Sequence, residues 1–353
     1  MKIGILTFHW ATNFGAILQT FALQSYLSNI GFEVSVINYR PGKYKLSLFK
    51  CFMTLRVWHI KKNILEYLKE VKLERFRDKY LNQTREYNSL IELKSDPPTF
   101  DVYICGSDQI WNPYFTLLGE GKPTSTYFLD FGDKNIRRIA YAVSYGCEYY
   151  SETATSYAKD LIANFKAISV RELSGVKLTK TLGYMNPQLL PDPTLLLDID
   201  KYNFNYIPNN DINNYVFVYL LRDNPLIVKS LISKLNNYFE YKLKINWSKV
   251  TEIENWLTQI RNSQLVVTNS YHGMIFSIIF HKPFLVVPAK GNLSGMNDRF
   301  NTLLKLLNLE DRILIDFDNV NHILDKKIDW IEVDERIKSF RNQTKTFFDS
   351  YIN

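Results

Sequence analysis

Short apolar runs alternate with helical patterns along most of the chain. In the first half, the runs short enough to be buried strands are 2–8, 33–39, 100–105, 139–143 and 167–170. A helical pattern over 16–30 separates the first two runs and stops at Gly31. A strand, a helix and a second strand in this order predict a parallel crossover, which places the loop at 9–15 at the carboxyl edge of the sheet.

The same alternation returns after a polar stretch at 200–214. The second set of strand-like runs is 215–221, 241–245, 264–268, 284–287 and 313–315. Helical patterns cover 225–238, 252–261, 270–280 and 299–307, and an amphipathic pattern covers 330–351. We therefore predict an α/β fold of two doubly wound, Rossmann-like domains facing a cleft, which is a favoured place for a ligand.

At 353 residues the chain exceeds the usual size of one hydrophobic core. The proline-bracketed bend at 191–194 is the predicted linker between two domains. It gives an N-terminal domain at 1–190, with a helical insertion at about 41–99, and a C-terminal domain at 191–329. We expect the last helix, 330–353, to pack back on the first domain.

The net charge is +7 and is spread along the sequence, which fits an anionic small molecule, an acidic membrane surface or nucleic acid. No basic tail, RNP pattern or zinc-finger pattern accompanies it, so no nucleic-acid partner is expected. Cys51, Cys105 and Cys147 are too far apart for a metal or disulfide pattern, which indicates a reducing cytoplasm and no metal. The longest apolar region, 274–287, is interrupted at 281–283 and does not fit a bilayer span.

One histidine stands between a buried strand and an apolar helix. The run 264–268 ends in Asn269 and Ser270, and His272 then opens the helical pattern. Open α/β sheets bind ligands at such strand ends, and helix amides there receive anions. A histidine at this point can move a proton near neutral pH, although it can also simply cap the helix or pack under it. His9, in the first loop, is a second candidate for the cleft.

Two arginines lie at a strand end or a helix start, where a positive charge can bind an anionic ligand. Arg171 follows the run 167–170, and its guanidinium can bind a carboxylate or phosphate through two hydrogen bonds. The alternative is an ion pair with Glu172 or an exposed surface position. Arg299 lies at a helix start, where a positive charge opposes the helix dipole, so an anionic ligand would explain it. The alternative there is a contact with Asp298 or with the neighbouring loop.

Polar residues at two other strand ends are candidates for binding a sugar. Asn13 and Gly15 open the first helix without any dinucleotide or P-loop glycine pattern, so they can hold a hydroxylated ligand or only cap the helix. Asp108, beside Gln109, can act as a general base or bind sugar hydroxyls, and it is equally typical of a structural turn. Trp111 can stack on a sugar ring or be part of the core.

Taken together, several of these segments resemble the polysaccharide pyruvyl transferase family. They are Asn-Phe-Gly-Ala at 13–16, Gly-Ser-Asp-Gln-Ile-Trp-Asn at 106–112, Ser-Val-Arg-Glu at 169–172, Asp-Pro-Thr-Leu-Leu at 192–196 and Thr-Asn-Ser-Tyr-His-Gly at 268–273. Their order and spacing hold from residue 2 to about 312. Each segment alone would be weak, but the combination is specific.

The resemblance implies a two-domain architecture similar to that of the GT-B glycosyltransferases. It implies transfer of a pyruvyl group from phosphoenolpyruvate to two hydroxyls of a sugar, which forms a ketal and releases phosphate, with no further cofactor. Such enzymes serve capsule, exopolysaccharide and cell-wall polymer synthesis. The family's motif histidine corresponds to His272, and the arginine of its earlier motif corresponds to Arg171.

The chain departs from the family pattern at one position. Many members carry an arginine two residues before the histidine, where it helps to hold the donor, and this chain has Ser270 there. Arg299 can supply the positive charge instead.

We expect His272 to be the catalytic proton shuttle. The expected donor-binding residues are Arg171, Arg299, Asn269, Ser270 and Gly273. The expected acceptor-binding residues are Asn13, Gly15, Asp108, Gln109 and Trp111. The acceptor would be a sugar or a lipid-linked oligosaccharide. With a lipid-linked acceptor, the basic surface and the aromatic stretch at 48–59 can contact the cytoplasmic membrane face, although the same apolar side chains can equally form a buried helix stripe.

Two other functions fit the same pattern. One is a GT-B glycosyltransferase that uses a nucleotide sugar, for which a carboxylate or backbone set for ribose and base would be needed. The other is a non-catalytic sugar-binding subunit of a biosynthetic complex, which the absence of arginine at Ser270 favours.

Overall fold

The computed structural model describes residues 1–41, 57–114, 124–204, 215–221, 231–233, 235, 242–246, 250–289, 295–316 and 320–352. The chain forms two compact units. Unit 1 contains Met1–Leu197 and Lys338–Asn353, and unit 2 contains Asp198–Ile337. Within the described ranges, none of the helices is both long and apolar enough to span a bilayer.

Unit 1 is built on a seven-stranded sheet in which every pairing is parallel. Its strands are β1 (Lys2–Leu6), β2 (Glu33–Tyr39), β3 (Gln83–Tyr87), β4 (Val102–Cys105), β5 (Arg137–Val143), β6 (Ala167–Val170) and β7 (Gln188–Leu189). Their order in the sheet is β3-β2-β1-β4-β5-β6-β7. The direction of the order reverses between β1 and β4, so the loops that follow these two strands lie side by side at the carboxyl edge.

The helices of unit 1 connect these parallel strands. They are α1 (Phe14–Asn29), α2 (Val57–Tyr80), α3 (Leu90–Ser95), α4 (Glu152–Ile162) and α5 (Leu173–Thr181). Parallel neighbours require a crossover of this kind, because a tight hairpin can join only antiparallel strands.

Unit 2 has a smaller parallel sheet. Its strands are β8 (Tyr215–Tyr219), β9 (Lys242–Asn246), β10 (Leu265–Thr268) and β11 (Phe284–Val286), in the order β11-β10-β8-β9. Among the described residues, the helices with both ends assigned are α6 (Ile253–Arg261), α7 (Tyr271–Ile279), α8 (Asp298–Leu307), α9 (Val320–Asp325) and α10 (Trp330–Tyr351). Here the strand order reverses between β8 and β10, which makes their carboxyl ends the favoured ligand position.

Helix α10 begins in unit 2 and ends in unit 1. Its Phe347 and Phe348 are buried in a core cluster of unit 1 that includes Tyr141 of β5. Arg341 donates hydrogen bonds to two backbone carbonyls, those of Leu195 at 2.8 Å and Leu197 at 2.6 Å. The end of the chain is therefore an integral part of unit 1.

The strands predicted from the apolar runs are present in both units, the last of them as a single bridge between Val286 and Ile313. Of the predicted helix at 225–238, only 231–233 and 235 are described, and these residues are helical. Most of the aromatic stretch at 48–59 lies outside the described residues. Two strands at the edges of the first sheet, β3 and β7, are absent from the prediction, since β3 is polar and β7 has only two residues. Because β3 pairs with β2, the predicted insertion at 41–99 is in part a piece of the sheet.

The bend at 191–194 is not a linker. Asp192 and Thr194 are fully buried inside unit 1, and the boundary between the units follows Leu197. Asp192 starts a short 3-10 turn by accepting a hydrogen bond of 3.1 Å from the backbone N–H of Thr194. The proline pattern thus marks a tight turn in the core.

Candidate active site

The unit 2 edge, defined as residues 219–221 and 268–273, lies where β8 and β10 end. The side-chain oxygen of Asn269 accepts a hydrogen bond of 2.7 Å from the backbone N–H of Leu221. This bond ties the two strand ends together and fixes the start of α7. His272 therefore lies where the sequence places it, in the first turn of a helix that follows a buried strand, and it is 6% exposed.

The start of α7 is packed against the end of β10. Ser270 caps the helix, since its hydroxyl accepts a hydrogen bond of 3.2 Å from the N–H of Gly273. The Thr268 hydroxyl accepts from the N–H of Ser270 at 2.9 Å and donates to the carbonyl of Tyr219 at 2.7 Å. A Cβ atom on Gly273 would lie 2.7 Å from the Thr268 hydroxyl oxygen, so this position has no room for a side chain.

A cation and an imidazole lie against one aromatic ring at this edge. The Cζ atom of Arg299 is 5.3 Å from the ring centroid of Tyr271, and the ring centroid of His272 is 5.6 Å from the same centroid. The Nε of Arg299 donates a hydrogen bond of 3.2 Å to the carbonyl of Met296. The arrangement combines a guanidinium, an imidazole and a helix N-terminus, which suits a small anion that must be protonated.

The unit 1 edge, defined as residues 7–13 and 106–112, lies where β1 and β4 end. The Thr7 hydroxyl donates to the carbonyl of Ser107 at 2.8 Å, and the amide nitrogen of Gln19 donates to the Thr7 hydroxyl at 2.9 Å. All three residues are fully buried. The segments that carry the sequence motifs in this half are therefore joined by a buried hydrogen-bond network.

Arg171 follows β6, and its buried side chain is surrounded by carboxylates. Its Nη1 is 2.7 Å from Asp192, its Nη2 is 3.3 Å from Asp108, and its Nε is 3.8 Å from Glu172. One guanidinium facing three carboxylates leaves a local surplus of negative charge, which opposes the approach of an anion. The sequence prediction is a cation facing a donor, whereas in the structure this cation faces the protein's own carboxylates.

Asp108 is held from behind by that guanidinium while part of its side chain reaches the surface. The side chain is 16% exposed, and its Oδ1 accepts a hydrogen bond of 2.8 Å from the N–H of Gln109. The backbone φ is +80°, a left-handed conformation that is uncommon outside glycine and is typical of functional or tightly constrained positions. Its carbonyl accepts from the N–H of Ser144 at 2.9 Å, which anchors the turn to the end of β5. Asp108 is thus a fixed carboxylate that can accept a proton from a ligand.

Gln109 is directed into the protein. It is 7% exposed, and its amide oxygen accepts a hydrogen bond of 2.8 Å from Asn112. Gly146 lies against it with φ of +60°, and a Cβ there would come within 2.0 Å of the Gln109 amide oxygen. The amide of Gln109 therefore serves local packing, so a sugar contact through it stays a prediction.

Trp111 belongs to the core, which corrects the prediction that its face binds a sugar. The indole is 1% exposed and stacks on Phe128 at 5.0 Å with an interplanar angle of 9°. Its Nε1 donates to the carbonyl of Tyr127 at 3.0 Å. The sequence alone does not show whether an aromatic residue after a strand is buried. Here the alternative, a core residue, is the correct one.

Asn13 is the N-cap of α1. The residue is exposed, and its side-chain oxygen accepts hydrogen bonds from the N–H groups of Gly15 at 2.9 Å and Ala16 at 3.3 Å. Gly15 itself is buried. Capping therefore accounts for the asparagine, and its exposure leaves a contact with a hydroxylated ligand as a prediction.

His9 is fully buried, which differs from the expectation of a residue in a cleft. Burial lowers the pKa of His9 to about 4, with further lowering by Arg40 and Arg77, although a hydrogen bond of 3.1 Å to Asn38 opposes the shift. The imidazole is therefore neutral near pH 7 and does not act as a proton donor. Within the ranges that the structure describes, no group of three or more His, Cys, Asp or Glu side chains is placed to hold a metal ion.

Several solved structures share the fold of this chain. UDP-N-acetylglucosamine 2-epimerase from Rickettsia bellii has a TM-score of 0.51 at 9% identity, covering 100% of this chain and 97% of that chain. A putative UDP-N-acetylglucosamine 2-epimerase from Listeria monocytogenes has a TM-score of 0.52 at 10% identity, covering 94% and 90%. The S. aureus MnaA–UDP co-structure has a TM-score of 0.51 at 11% identity, covering 99% and 97%. These likenesses show the fold, and they confirm the predicted α/β, GT-B-like class.

The family follows from the sequence. The sequence model of the family described as polysaccharide pyruvyl transferase matches residues 13–290, well over half of the chain. The chain belongs to the polysaccharide pyruvyl transferase family, which confirms the resemblance seen in its motifs, and it is a transferase. No curated protein matches it.

Proposed function

We propose that the protein transfers the pyruvyl group of phosphoenolpyruvate to a sugar of a surface polysaccharide, such as a capsule or exopolysaccharide, or of its precursor. The product is a pyruvate ketal, and phosphate is released. One observation supports this most directly: His272 and the guanidinium of Arg299 lie within 5.6 Å of the same Tyr271 ring, at the start of a helix. A donor with a carboxylate and a phosphate calls for positive charge around a proton donor, and this edge combines one guanidinium with an imidazole and the positive end of a helix dipole.

The proposed chemistry begins with protonation of the donor's methylene carbon, C3, by His272. Carbon C2 then becomes electrophilic, and a sugar hydroxyl adds to it. A second hydroxyl displaces phosphate and closes the ketal ring. Of the two hydroxyl protons released, one balances the proton placed on C3 and the other leaves with phosphate. His272 gives its proton to C3 and is reprotonated by one of the two hydroxyls, and in this role it would contribute a factor of about 10²–10⁴ to the rate.

The donor would be held by Arg299 and by the helix start at Asn269, Ser270 and Gly273. Ser270 is the cap of α7, so in this chain the position two residues before the histidine stabilises the helix. The cation that other members carry at this position is replaced in our proposal by Arg299. Arg299 reaches the same helix start through the Tyr271 ring.

The acceptor would bind at the unit 1 edge, at Asn13, Gly15 and the loop of Asp108 and Gln109. Asp108 is the proposed base for a sugar hydroxyl, and Arg171 would hold its carboxylate in place. Direct binding of the donor by Arg171, as the sequence predicts, is a separate expectation: Arg171→Lys would then raise the Kd for phosphoenolpyruvate. If Arg171 only holds Asp108, the same variant lowers turnover and leaves that Kd unchanged.

Phosphate release from phosphoenolpyruvate tests the proposal. The protein would be mixed with the donor and a panel of nitrophenyl and lipid-linked glycosides, and free phosphate would be measured. His272→Gln should lower turnover by about 10²–10⁴. The exposed His322 offers a matched control, since His322→Gln should keep full turnover. Full turnover in His272→Gln would end the assignment of His272 as the proton shuttle.

A GT-B glycosyltransferase that uses a nucleotide sugar is the second candidate function. It is favoured by the shared fold of the S. aureus MnaA–UDP co-structure. A ligand that binds the folded state raises the melting temperature. Stabilisation by phosphoenolpyruvate and not by UDP supports pyruvyl transfer, and the reverse supports glycosyl transfer. A non-catalytic sugar-binding subunit would bind glycosides without releasing phosphate in any mixture.

We also propose a cellular location for the enzyme. A cytoplasmic enzyme would meet phosphoenolpyruvate directly, and a lipid-linked acceptor would bring it to the inner membrane face. Contact with the membrane through 48–59 stays a prediction, because 42–56 lie outside the described residues.

A further inference from the structure

Helix α2 contributes one buried arginine to the loop that follows β1. Arg77 is 0% exposed, and its Nε donates a hydrogen bond of 2.8 Å to the backbone carbonyl of His9. Its Nη2 donates to the carbonyls of Trp10 at 3.1 Å and Ala11 at 3.2 Å. Three successive carbonyls of one loop are therefore held by a single side chain.

The remaining donors of this guanidinium bind carboxylates of its own helix. Nη1 is 2.7 Å from Glu70 and 2.6 Å from Glu74. Glu70 also accepts a hydrogen bond of 2.7 Å from the hydroxyl of Thr12, so the helix holds the loop at a fourth point. Arginine has five N–H donors in a rigid, planar fork, and this geometry cannot be reproduced by the three donors on the single nitrogen of a lysine.

The loop presents an aromatic side chain at the unit 1 edge. Trp10 is half-buried, whereas Trp111 lies in the core. The indole Nε1 of Trp10 donates a hydrogen bond of 2.9 Å to the hydroxyl of Tyr127, and its ring meets that of Phe8 edge to face at 5.9 Å. The indole is thus fixed at its polar end and through its backbone carbonyl while part of it stays accessible. A fixed, partly exposed aromatic surface is what a pyranose ring needs for stacking.

We propose that Trp10 is an acceptor-binding residue that stacks on the sugar, and that Arg77 is the positioning residue that fixes the loop carrying it. The inference rests on the proposed function, because it assigns the acceptor to the unit 1 edge. It extends that function by giving α2 a part in acceptor recognition. The chemistry recognised is the apolar face of a hexopyranose.

The experiment compares Arg77→Lys and Trp10→Leu with wild type in three measurements. Binding of nitrophenyl hexopyranosides is followed by saturation-transfer NMR, the Kd of phosphoenolpyruvate by calorimetry, and the amides of 9–13 by hydrogen exchange. Trp10→Leu should weaken glycoside binding about tenfold with unchanged exchange. Arg77→Lys should weaken it to a similar extent and speed exchange at 9–13, while the Kd of phosphoenolpyruvate stays within about twofold of wild type.

Two matched controls separate these effects from general destabilisation. Arg75→Lys changes an exposed arginine on the same helix, and Trp330→Leu changes a half-buried tryptophan in unit 2. Both should leave glycoside binding and exchange at 9–13 unchanged.

Some outcomes overturn the proposal. Unchanged glycoside binding in Trp10→Leu removes Trp10 from the acceptor site, and a parallel loss of phosphoenolpyruvate affinity in Arg77→Lys shows general loosening rather than positioning. If wild type binds no glycoside of the panel, the assignment of Trp10 as a sugar-stacking surface is wrong. Failure of the proposed function has a different signature, namely glycoside binding without phosphate release from phosphoenolpyruvate.

Discussion

The guanidinium of Arg171 lies 2.7 Å from the carboxylate of Asp192, and both side chains are fully buried. Asp192 also accepts hydrogen bonds from the hydroxyls of Ser107 at 3.0 Å and Thr194 at 2.7 Å. Two of the sequence motifs, at 169–172 and 192–196, therefore meet in one ion pair. The pair supports the turn of Asp108, whose carboxylate contacts the same guanidinium.

Breaking this pair should destabilise unit 1. Asp192→Asn removes the closest of the three carboxylates that face the buried Arg171, and it disturbs the hydrogen bonds from Ser107 and Thr194. Because Asp108 and Glu172 remain, the cost should stay below about 3–5 kcal/mol, the cost of a fully unpaired buried charge. Urea unfolding followed by circular dichroism measures it. The exposed pair of Lys345 and Asp349 is the control, since Lys345→Gln should leave the urea midpoint unchanged. Equal midpoints for Asp192→Asn and wild type would contradict a structural role for the pair.

The carboxylate of Asp108 should matter for turnover and little for the donor. Asp108→Asn keeps the size of the side chain but removes its capacity to take a proton, so kcat should fall by about 10²–10⁴. The Kd of phosphoenolpyruvate should stay unchanged, because Asp108 lies in the unit proposed to bind the acceptor. Asp160→Asn, an exposed change on α4, should leave both quantities at wild-type values. A weakened donor affinity with normal kcat would assign Asp108 to the donor instead.

The strand ends were predictable because apolar periodicity determines which segments are buried, and buried parallel strands place their polar flanks at one edge. His272 and Arg299 accordingly lie at the helix starts that the sequence indicates. Strand β3 was not predictable in this way, since Gln-Thr-Arg-Glu-Tyr has no apolar alternation and is held at the sheet edge by pairing with β2.

Partners distant in sequence account for the other differences. Asp192 sits between two prolines, a pattern that a solvent-exposed linker and a buried 3-10 turn share. The contacts of Asp192 with Arg171 and Ser107, which follow other strands, distinguish the buried turn from a linker, and the sequence does not show them. Arg77 was missed for the same reason, because its helix reads as a charged surface helix until the carbonyls of the first loop are placed against it.

The buried imidazole of His9 should make stability depend on pH. The pKa of His9 is about 4 in the folded chain because of burial, against the ordinary value of 6.5. Between these values the unfolded chain binds a proton that the folded chain does not. The free energy of unfolding is therefore not reduced by His9 above pH 6.5. As the pH decreases from 6.5 towards 4, protonation of His9 in the unfolded chain lowers the free energy of unfolding, by about 3 kcal/mol in total.

Urea unfolding at pH 7 and at pH 4.5 in His9→Gln and wild type checks this expectation. Glutamine can still donate a hydrogen bond to Asn38 but does not titrate, so His9→Gln should lose less stability on acidification. His322→Gln, at an exposed histidine, should retain the wild-type loss. The same loss in His9→Gln as in wild type would show that other groups cause the acid sensitivity.

We expect the start of α7 to require glycine at position 273. In Gly273→Ala the new Cβ would lie 2.7 Å from the Thr268 hydroxyl, which already bonds Ser270 and Tyr219. The strand end and α7 must separate, and overpacking of this kind costs about 1–3 kcal/mol. Thermal unfolding should therefore occur at a lower temperature. Gly183→Ala is not a suitable control because of its φ of +101°, and Ser277→Ala is unsuitable because the buried Ser277 hydroxyl donates a hydrogen bond of 2.8 Å to the carbonyl of Gly273. Asn301→Ala, at an exposed position of α8, is the control and should leave the unfolding temperature unchanged.

The cation on Arg299 should be exchangeable with one at position 270. Arg299→Met removes the charge beside Tyr271, and loss of a charge-assisted bond of about 1.5–3 kcal/mol should raise the Kd of phosphoenolpyruvate about 10- to 150-fold. Adding Ser270→Arg to that variant returns a guanidinium to the start of α7 at the expense of the helix cap, which stabilises by about 1 kcal/mol. Donor affinity should then recover in part while the melting temperature falls. Recovery of donor affinity would show that this edge needs a positive charge from either position. If Arg299→Met instead damages the structure of α8, the loss of affinity would persist whatever residue stands at 270.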